Sequence, residues 1–473
     1  MEDYFDDYEE EDLYEDYDFD KRLLFPFSRQ TLEETFKNCV LPSLSQIATY
    51  AGTLIGWNLL CRLAWLMAKC AGIRPWVDHL ISFVTGCGVL YYTIGLDFLV
   101  VLLFAMVSYV ILSILEYRQS RSTGYVMGAI CIVGLFLYEL LAENPTVWHK
   151  IRGVQMIATM KVVSLAFDLD AKKHARTPAL FPFLGYMLCP ANAVLGPWMA
   201  YDEYTVSLDQ SRIEFRWFLW TVSNSLASLG FLLLSNCFVA LICTDYASKW
   251  IIAFRDALSF RCSHYFISFL SQATMAAAGV HTSQSFGDKS RIFGSLVTKP
   301  CSIEVPRSLT EVVRNWNIPM HRWLKTYVFR TIKNRSTLAA IICTYVVSSL
   351  LHGLHFQIYA VLLSLGIFTF IEFQLRSKIA SIFGACILPN PCRQRACSHE
   401  HKWKSTFSLV MNSVFGLLTM MHLAYLGIMM EGTSSPNAQA NRFSIQAGFN
   451  KWMSLDFLSH WIFACSYLFY LVV

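Results

Sequence analysis

Apolar stretches of about twenty residues recur along almost the whole chain, separated by short polar segments. A stretch of this length, wound as an α-helix, crosses the roughly 30 Å hydrocarbon core of a bilayer. The hydrophobic pattern predicts helices near residues 47–70, 78–96, 97–115, 124–142, 153–169, 181–200, 218–244, 265–280, 337–351, 356–374, 406–430 and 457–473. Some of these are too short or too polar to cross alone, and we expect roughly eleven membrane-embedded helices.

The composition agrees with this pattern. Of 473 residues, 55% are hydrophobic and only 15% are charged, whereas about a quarter are charged in ordinary soluble domains. We therefore predict an all-α protein with several membrane spans and exclude a soluble multidomain protein. The sequence shows no internal repeat, which disfavours a secondary transporter built from paired halves.

Residues 1–22 form an acidic tail that differs from the rest of the chain. The first twenty residues carry twelve acidic side chains and no basic one, so this segment is predicted to be disordered. It lacks the basic start and apolar centre of a signal peptide. The remainder, residues 23–473, is predicted to be one membrane domain.

The rest of the chain is basic: without the first twenty residues, which hold the twelve acids, the formal net charge rises from +4 to +16. Basic side chains between apolar runs usually mark the cytoplasmic lipid–water boundary, and they can also attract an anionic substrate. Both interpretations stay open for two clusters: Lys172, Lys173 and Arg176, and Arg322, Lys325, Arg330, Lys333 and Arg335.

The cysteines divide into two groups. Most of the fifteen lie singly within apolar runs, where a thiol behaves as a small hydrophobic group. A basic loop near 386–404 instead concentrates five potential metal ligands: Cys386, Cys392, Cys397, His399 and His401. Thiolates and imidazoles at such spacing can complete a tetrahedral zinc site. The alternative is a reduced cytosolic loop, with a disulfide or a lipidated cysteine.

The apolar run 337–371 contains no charged residue, yet it holds His352 and His355. Ionisable side chains within membrane helices are rare and usually face a cavity or a partner. An imidazole there can act as a general base near neutral pH, or it can hydrogen-bond a neighbouring helix. Gly353 favours the first interpretation, because it allows close backbone approach by a ligand.

Two further polar side chains accompany His352. Tyr345 and Ser348 precede it by seven and four residues, which places all three on one helical face. Upstream, in the polar segment 282–336, Asn317 lies between Trp316 and a proline. Its amide can orient a substrate carbonyl, or it can serve only as a turn residue.

Together, the two polar positions resemble the active-site pair of the membrane-bound O-acyltransferase (MBOAT) family. That pair is an asparagine in a polar segment and, here 35 residues later, a histidine within an apolar helix. Further blocks are similar to the branch of this family that acylates secreted Wnt proteins. These blocks are residues 148–170, 183–198, 299–324, 344–365, 397–402 and 422–427. The resemblance extends from about residue 35 to the end of the chain.

The resemblance implies the MBOAT fold, an all-α membrane domain around an internal reaction tunnel. It assigns the catalytic histidine to His352, the active-site asparagine to Asn317, and pocket-lining positions to Trp316, Tyr345 and Ser348. It further implies an O-acyltransferase of the endoplasmic reticulum membrane that moves a palmitoleoyl group from palmitoleoyl-CoA to a serine of Wnt proteins. Acyl-CoA is then a co-substrate, no further cofactor is required, and nucleic acid plays no part.

Other functions stay open at this point. A transporter, channel or receptor is disfavoured by the uneven helices and the long polar segment 282–336. A scaffold that binds and traffics Wnt proteins without catalysis is another alternative, as is a related acyltransferase that acts on lipids or on another secreted protein. Within the enzyme, direct transfer is favoured over an acyl-enzyme, for which Ser348 is the one candidate nucleophile.

Overall fold

The computed structural model describes residues 32–141, 145–174, 176–209, 214–242, 247–280, 295–334, 336–390, 392, 397–430 and 445–472. The predicted acidic tail at residues 1–22 lies outside the described residues, as does Arg335 of the second basic cluster.

Helices account for most of the described chain. In chain order the principal ones are α1 (Leu41–Cys70), α2 (Trp76–Ile94), α3 (Phe98–Tyr117), α4 (Thr123–Leu141), α5 (Pro145–Asp170), α6 (Leu180–Met187), α7 (Pro190–Ala193), α8 (Tyr201–Asp209), α9 (Phe215–Leu233), α10 (Lys249–Ala277), α11 (Pro300–Glu304), α12 (Leu309–Trp316), α13 (Ile318–Trp323), α14 (Thr337–Leu351), α15 (Phe356–Ile382), α16 (Thr406–Gly427), α17 (Ile445–Ser454) and α18 (Leu458–Val472). Extended pairing in the described part is an isolated bridge between Ala385 and His401.

Among the described residues, six helical segments are long and apolar enough to cross a membrane: Glu33–Cys70, Trp76–Tyr117, Thr123–Leu141, Phe215–Leu241, Phe356–Ile382 and Thr406–Met430. A seventh is the pair Gly448–Ser454 and Leu458–Val472, bent by 75°. Trp76–Tyr117 has 42 residues, the length of two spans, and Gly95 with a φ of +66° ends α2 within it. The prediction of an all-α protein with several membrane spans is confirmed, while the number eleven stays a prediction.

Two predicted helices differ from the structure. The segment 181–200 is divided into α6 and α7, because the chain turns at Leu188 and Cys189 before Pro190, which has no backbone N–H to continue a helix. The segment 265–280 is only the end of α10, which begins at Lys249. The charged first half of α10 is helical because its polar groups are paired within the protein.

Arg261 shows this pairing in α10. Its guanidinium donates to both carboxylate oxygens of Glu304, at 2.8 and 3.1 Å, and the hydroxyl of Tyr265 donates to the same group at 2.7 Å. Arg261 is almost fully buried. A buried charge is tolerated when it is paired and hydrogen-bonded, so hydropathy alone underestimates the length of this helix.

The break between α6 and α7 is held by Lys161 from the middle of the buried helix α5. The ammonium Nζ donates to the backbone oxygens of Tyr186 and Met187, at 2.9 and 3.0 Å, and to Oδ1 of Asn192 at 2.7 Å. The side chain of Lys161 is 0% exposed. Carbonyl groups at a helix end lack intrahelical donors, and a non-helical backbone within a membrane domain needs such internal partners.

A disulfide between Cys39 and Cys237 links the turn before α1 to the end of α9, across 198 positions of sequence. The turn containing Cys39 is Phe36–Val40, and the one containing Cys237 is Leu234–Phe238. The sequence pattern did not indicate this pair.

We predict that Lys161→Met destabilises the protein by at least about 2 kcal/mol, because buried acceptors left without a donor cost about 1–3 kcal/mol each. Thermal unfolding of the purified protein in detergent measures the effect. Lys37→Met is the matched control, since Lys37 is exposed and pairs with the exposed Glu33, and such surface pairs contribute little. A Lys161→Met protein as stable as the wild type contradicts the assigned role.

Candidate active site

The histidine predicted as the base lies where α14 stops. α14 has fifteen residues, and His352 directly follows its last one, Leu351. Gly353 then adopts a φ of +77°, in the left-handed region that favours glycine. At 1.5 Å per residue α14 is about 23 Å long, shorter than the roughly 30 Å hydrocarbon core. His352 therefore lies at the end of an incomplete span, just before α15 begins at Phe356.

The backbone after His352 packs against α4 and α5. The amide N–H of Leu354 donates to Oε2 of Glu139 at 2.8 Å. A Cβ atom added to Gly353 would lie 2.7 Å from the same carboxylate oxygen and 3.4 Å from Cδ of Arg152. Glu139 is buried, and Arg152 is near enough to His352 to interact electrostatically with its ring. The position of the histidine is thus fixed by a close backbone contact that only glycine allows.

The two side chains predicted to accompany His352 lie in the same helix, and Tyr345 packs towards α15. The Tyr345 ring covers Gly366, where an added Cβ would be 2.7 Å from the ring, and its hydroxyl is 3.5 Å from Oγ1 of Thr369. Ser348 is buried. His355 is the N-cap residue directly before α15.

Asn317 connects α12 to α13. It is the C-cap residue of α12 and the N-cap residue of α13. Its Oδ1 accepts a hydrogen bond from the Met320 backbone N–H at 3.1 Å, and its backbone oxygen accepts one from His321 N–H at 2.9 Å. The turn role considered from the sequence is therefore present. Because the cap uses the amide oxygen, the NH₂ group is the part of this side chain that can donate to another molecule.

The Trp316 ring lies on His264 of α10. The two rings are stacked, with centroids 4.2 Å apart and planes 8° from parallel. Nε2 of His264 also lies 2.8 Å from the Trp316 backbone oxygen, and since a carbonyl can only accept, the imidazole N–H is the donor. Together these contacts hold the residue directly before Asn317.

The helices that carry Asn317 and His352 share one apolar core. Met320 and Trp323 from α13 and Leu351 from α14 belong to the same buried cluster. The Trp323 indole N–H donates to the Met160 backbone oxygen of α5 at 3.0 Å. Since Arg152 of α5 lies beside Gly353, α5 supports both positions.

Some of the basic side chains are already paired within the protein. Arg322 donates to both carboxylate oxygens of Glu203, at 2.6 and 2.7 Å, and its guanidinium lies 4.8 Å from the Trp198 ring centroid. Lys173 pairs with Asp168 at 2.6 Å. These two residues therefore serve internal ion pairs, and the interpretation as anion attractors stays open for the other members of the two clusters.

Four of the five predicted metal ligands come together. The ligand atoms of Cys386, Cys392, Cys397 and His399 all lie within 4.8 Å of one another. His401 takes a different place: its backbone pairs with residues 384 and 386, and its ring packs against Phe407. Burial raises the pKa of the Cys386 thiol, but hydrogen bonds from the Cys392 backbone N–H and from the neighbouring thiols outweigh burial and lower that pKa below its ordinary value.

Comparison with known proteins identifies the family. The model of the membrane-bound O-acyltransferase family, MBOAT, matches residues 88–393. This range covers well over half of the chain and includes both Asn317 and His352. The chain belongs to the MBOAT family.

Individual relatives identify the branch. The protein-serine O-palmitoleoyltransferase porcupine of Anopheles gambiae is 38% identical over 94% of this chain and 94% of its own length. The proteins of the same name from Homo sapiens and Drosophila melanogaster are 32% and 33% identical, over 94% and 93% of this chain and 99% and 87% of their own lengths. The chain is an O-acyltransferase of the porcupine branch with several membrane spans, and the transporter, channel and receptor alternatives are wrong.

Sequence reasoning missed three residues that hold the candidate site. Glu139 is an acid near the end of an apolar run, and a buried acid in such a run was a signal that could have been used. Arg152 and His264 gave no comparable signal, because their partners lie 201 and 52 positions away, at Gly353 and Trp316.

We predict that Gly353→Ala destabilises the protein by more than about 1 kcal/mol, since alanine is strained at positive φ and its Cβ collides with Glu139. Gly134→Ala is the control, because Gly134 lies within α4 with nothing within 4 Å of an added Cβ. Alanine there improves helix propensity by about 1 kcal/mol. Thermal unfolding of both variants compares the two effects, and equal melting temperatures would rule out the tight contact.

Proposed function

We propose that this enzyme transfers a palmitoleoyl group from palmitoleoyl-CoA to a serine hydroxyl of secreted Wnt proteins, in the endoplasmic reticulum membrane. The observation that carries the proposal is the placement of His352 at the broken end of α14, beside Glu139 and Arg152. The activity for which the relatives are named, protein-serine O-palmitoleoyltransferase, supports the acyl group and the acceptor residue.

His352 acts as the general base. A serine hydroxyl is a weak nucleophile at neutral pH and needs a positioned group to accept its proton. The imidazole takes this proton as the serine oxygen attacks the thioester carbon of the acyl-CoA. When the tetrahedral intermediate collapses, the carbon–sulfur bond breaks and the imidazolium returns the proton to the sulfur of CoA. The products are a serine ester and free CoA, and the histidine is regenerated.

Asn317 stabilises the oxyanion that forms on the thioester carbonyl. Its Oδ1 is held by the Met320 N–H, so the NH₂ group is oriented by the cap and donates to the substrate oxygen. Donors preorganised for a developing oxyanion contribute about 3–4 kcal/mol in other enzymes. The stack of Trp316 on His264 fixes the backbone just before this donor.

The half-buried position of His352 suits substrates that arrive from two sides. The acyl chain is apolar and can lie between helices, whereas the CoA moiety is highly charged and stays on the cytosolic face. The Wnt acceptor is in the lumen. A reaction centre at the end of an incomplete span is accessible to both without either polar group crossing the hydrocarbon core.

The redox states of the cysteines support a location in a membrane that separates an oxidising from a reducing compartment. Disulfides such as Cys39–Cys237 persist in the lumen of the secretory pathway. The thiols of Cys386, Cys392 and Cys397 are free, as expected on the cytosolic side. We place the ends of α1 and α9 that carry the disulfide in the lumen, and the loop after α15 in the cytosol.

We predict that His352→Ala lowers acyl transfer by about 10²–10⁴-fold, the usual contribution of a general base, while the melting temperature and palmitoleoyl-CoA binding are retained. Purified protein in nanodiscs, palmitoleoyl-CoA and a Wnt hairpin peptide are mixed, and the peptide is weighed by mass spectrometry. His355→Ala, three residues further on, is expected to keep most of the activity. Turnover at the wild-type rate in His352→Ala would reject His352 as the base, whereas an absence of turnover in the wild type would favour a non-catalytic scaffold.

Direct transfer and an acyl-enzyme through Ser348 are separated by the same reagents. Radiolabelled palmitoleoyl-CoA should leave no label on the denatured enzyme when the acceptor peptide is omitted. Label that stays on the wild type and disappears with Ser348→Ala would establish the acyl-enzyme instead.

Asn317 offers a test that separates its two roles. Asn317→Asp keeps a side-chain oxygen of equal N-cap quality but removes the NH₂ donor. We predict that transfer falls by about 10²–10³-fold, as for loss of an oxyanion donor elsewhere, with an unchanged melting temperature. Asn317→Ala should lose both activity and about 1 kcal/mol of stability. Full activity of the Asn317→Asp enzyme would mean that Asn317 acts only as a helix N-cap and not as an oxyanion donor.

A further inference from the structure

The loop that follows α15 gathers three thiols and one imidazole at a common point. Nδ1 of His399 lies 3.5 Å from Sγ of Cys392 and 3.4 Å from Sγ of Cys397. Sγ of Cys386 completes a group whose four ligand atoms are all within 4.8 Å of one another. The four residues stand at positions 386, 392, 397 and 399, so the loop must fold back on itself to bring their side chains together.

These separations match a tetrahedral metal site. Zinc–sulfur bonds of about 2.3 Å and zinc–nitrogen bonds of about 2.0–2.1 Å place tetrahedral ligands roughly 3.5–3.8 Å apart. A disulfide would instead bring two sulfur atoms to about 2.05 Å, and Cys386, Cys392 and Cys397 are all free thiols. We propose that Cys386, Cys392, Cys397 and His399 bind one zinc ion.

The donor set defines both the metal and its role. Thiolate and imidazole ligands favour zinc, whereas magnesium and calcium require oxygen. Three thiolates and one imidazole fill all four tetrahedral positions, which leaves no open position for a reacting water or substrate. The zinc ion is therefore structural, and it is not part of the acyl-transfer chemistry.

The backbone around Cys386 is fixed by two arginines from other parts of the chain. Arg307 donates to the backbone oxygens of Cys386 and Leu388, at 2.8 and 3.0 Å. Arg376, near the end of α15, donates to the oxygen of Ile387 at 2.6 Å and to the oxygen of Arg307. Hydrogen bonds of this kind orient a ligand before the metal binds.

These contacts connect the metal loop to the candidate active site. Arg307 lies just before α12, whose first residue Leu309 donates its N–H to Oε2 of Glu372 at 2.9 Å. α12 ends at Trp316, directly before Asn317. The zinc ion thus braces the start of the helix whose other end positions the oxyanion donor. This connection rests on the proposed function, whereas metal binding itself does not.

Metal analysis of the full-length protein tests the site. The protein is purified in detergent through a peptide tag that binds no metal, and zinc is measured by inductively coupled plasma mass spectrometry. We expect one zinc ion per chain, a loss towards zero in Cys397→Ser and in His399→Ala, and one retained ion in Cys70→Ser, which removes an exposed free thiol outside the loop. A folded wild type without zinc, or equal loss in Cys70→Ser, overturns the proposal.

Cobalt provides a readout that does not depend on folding of a variant. Exchange of the wild-type protein with Co²⁺ should produce the thiolate-to-metal charge-transfer and visible d–d bands of a tetrahedral thiolate site. Oxidised thiols are the competing outcome: an intact mass lower by two further hydrogen atoms than the Cys39–Cys237 disulfide accounts for, with no cobalt spectrum, would establish a second disulfide, and a loop peptide that contains it would overturn the proposal.

Removal of the metal tests the connection to activity. A high-affinity zinc chelator should lower the melting temperature and the rate of acyl transfer together, and added zinc should restore both. His352→Ala should retain its zinc ion, so a failure of the proposed catalytic base leaves the metal result intact. A wild type that loses zinc without any change in stability or transfer contradicts the bracing role.

Discussion

The ammonium group of Lys161 is fully buried and replaces hydrogen bonds that a continuous helix would have made for itself. It binds two carbonyls at the end of α6 and the side chain of Asn192. Because these donors satisfy the free carbonyl groups, the chain can turn sharply at Pro190 without water to solvate the break. The helix that supplies Lys161, α5, also accepts the Trp323 indole N–H and places Arg152 beside Gly353, so the candidate active site is built on the same support.

Both positions proposed for chemistry lie at helix ends. Asn317 caps the N-terminus of α13 and His352 follows α14. Backbone groups at helix ends lack intrahelical partners, and the protein satisfies them with side chains, such as Glu139 for the N–H of Leu354. These hydrogen bonds fix the backbone at the helix end. A functional side chain placed there therefore has a defined orientation.

Much of the helical framework follows from the sequence, because an apolar run of about twenty residues has one stable form in a bilayer. The hydropathy pattern gave wrong helix bounds where polar groups have buried partners. It predicted α10 too short, because Arg261 is paired with Glu304 inside the protein. It also predicted one helix where the structure has α6 and α7. His352 and Asn317 were predictable as polar residues in unusual surroundings. The Cys39–Cys237 pair and the stack of Trp316 on His264 depend on contacts between distant segments, which no local pattern encodes.

The short length of α14 has a consequence for the surrounding lipid. Leu338, Ile342 and Val346, which recur every four residues on one face, are exposed on the outside of the protein. The bilayer beside this face must become thinner, or flanking side chains must extend to the interface, and each ångström of hydrophobic mismatch costs a fraction of a kcal/mol. A thicker, sterol-rich membrane would increase this mismatch at the helix that precedes His352. The rate of acyl transfer should therefore depend on the thickness of the membrane in which the enzyme lies.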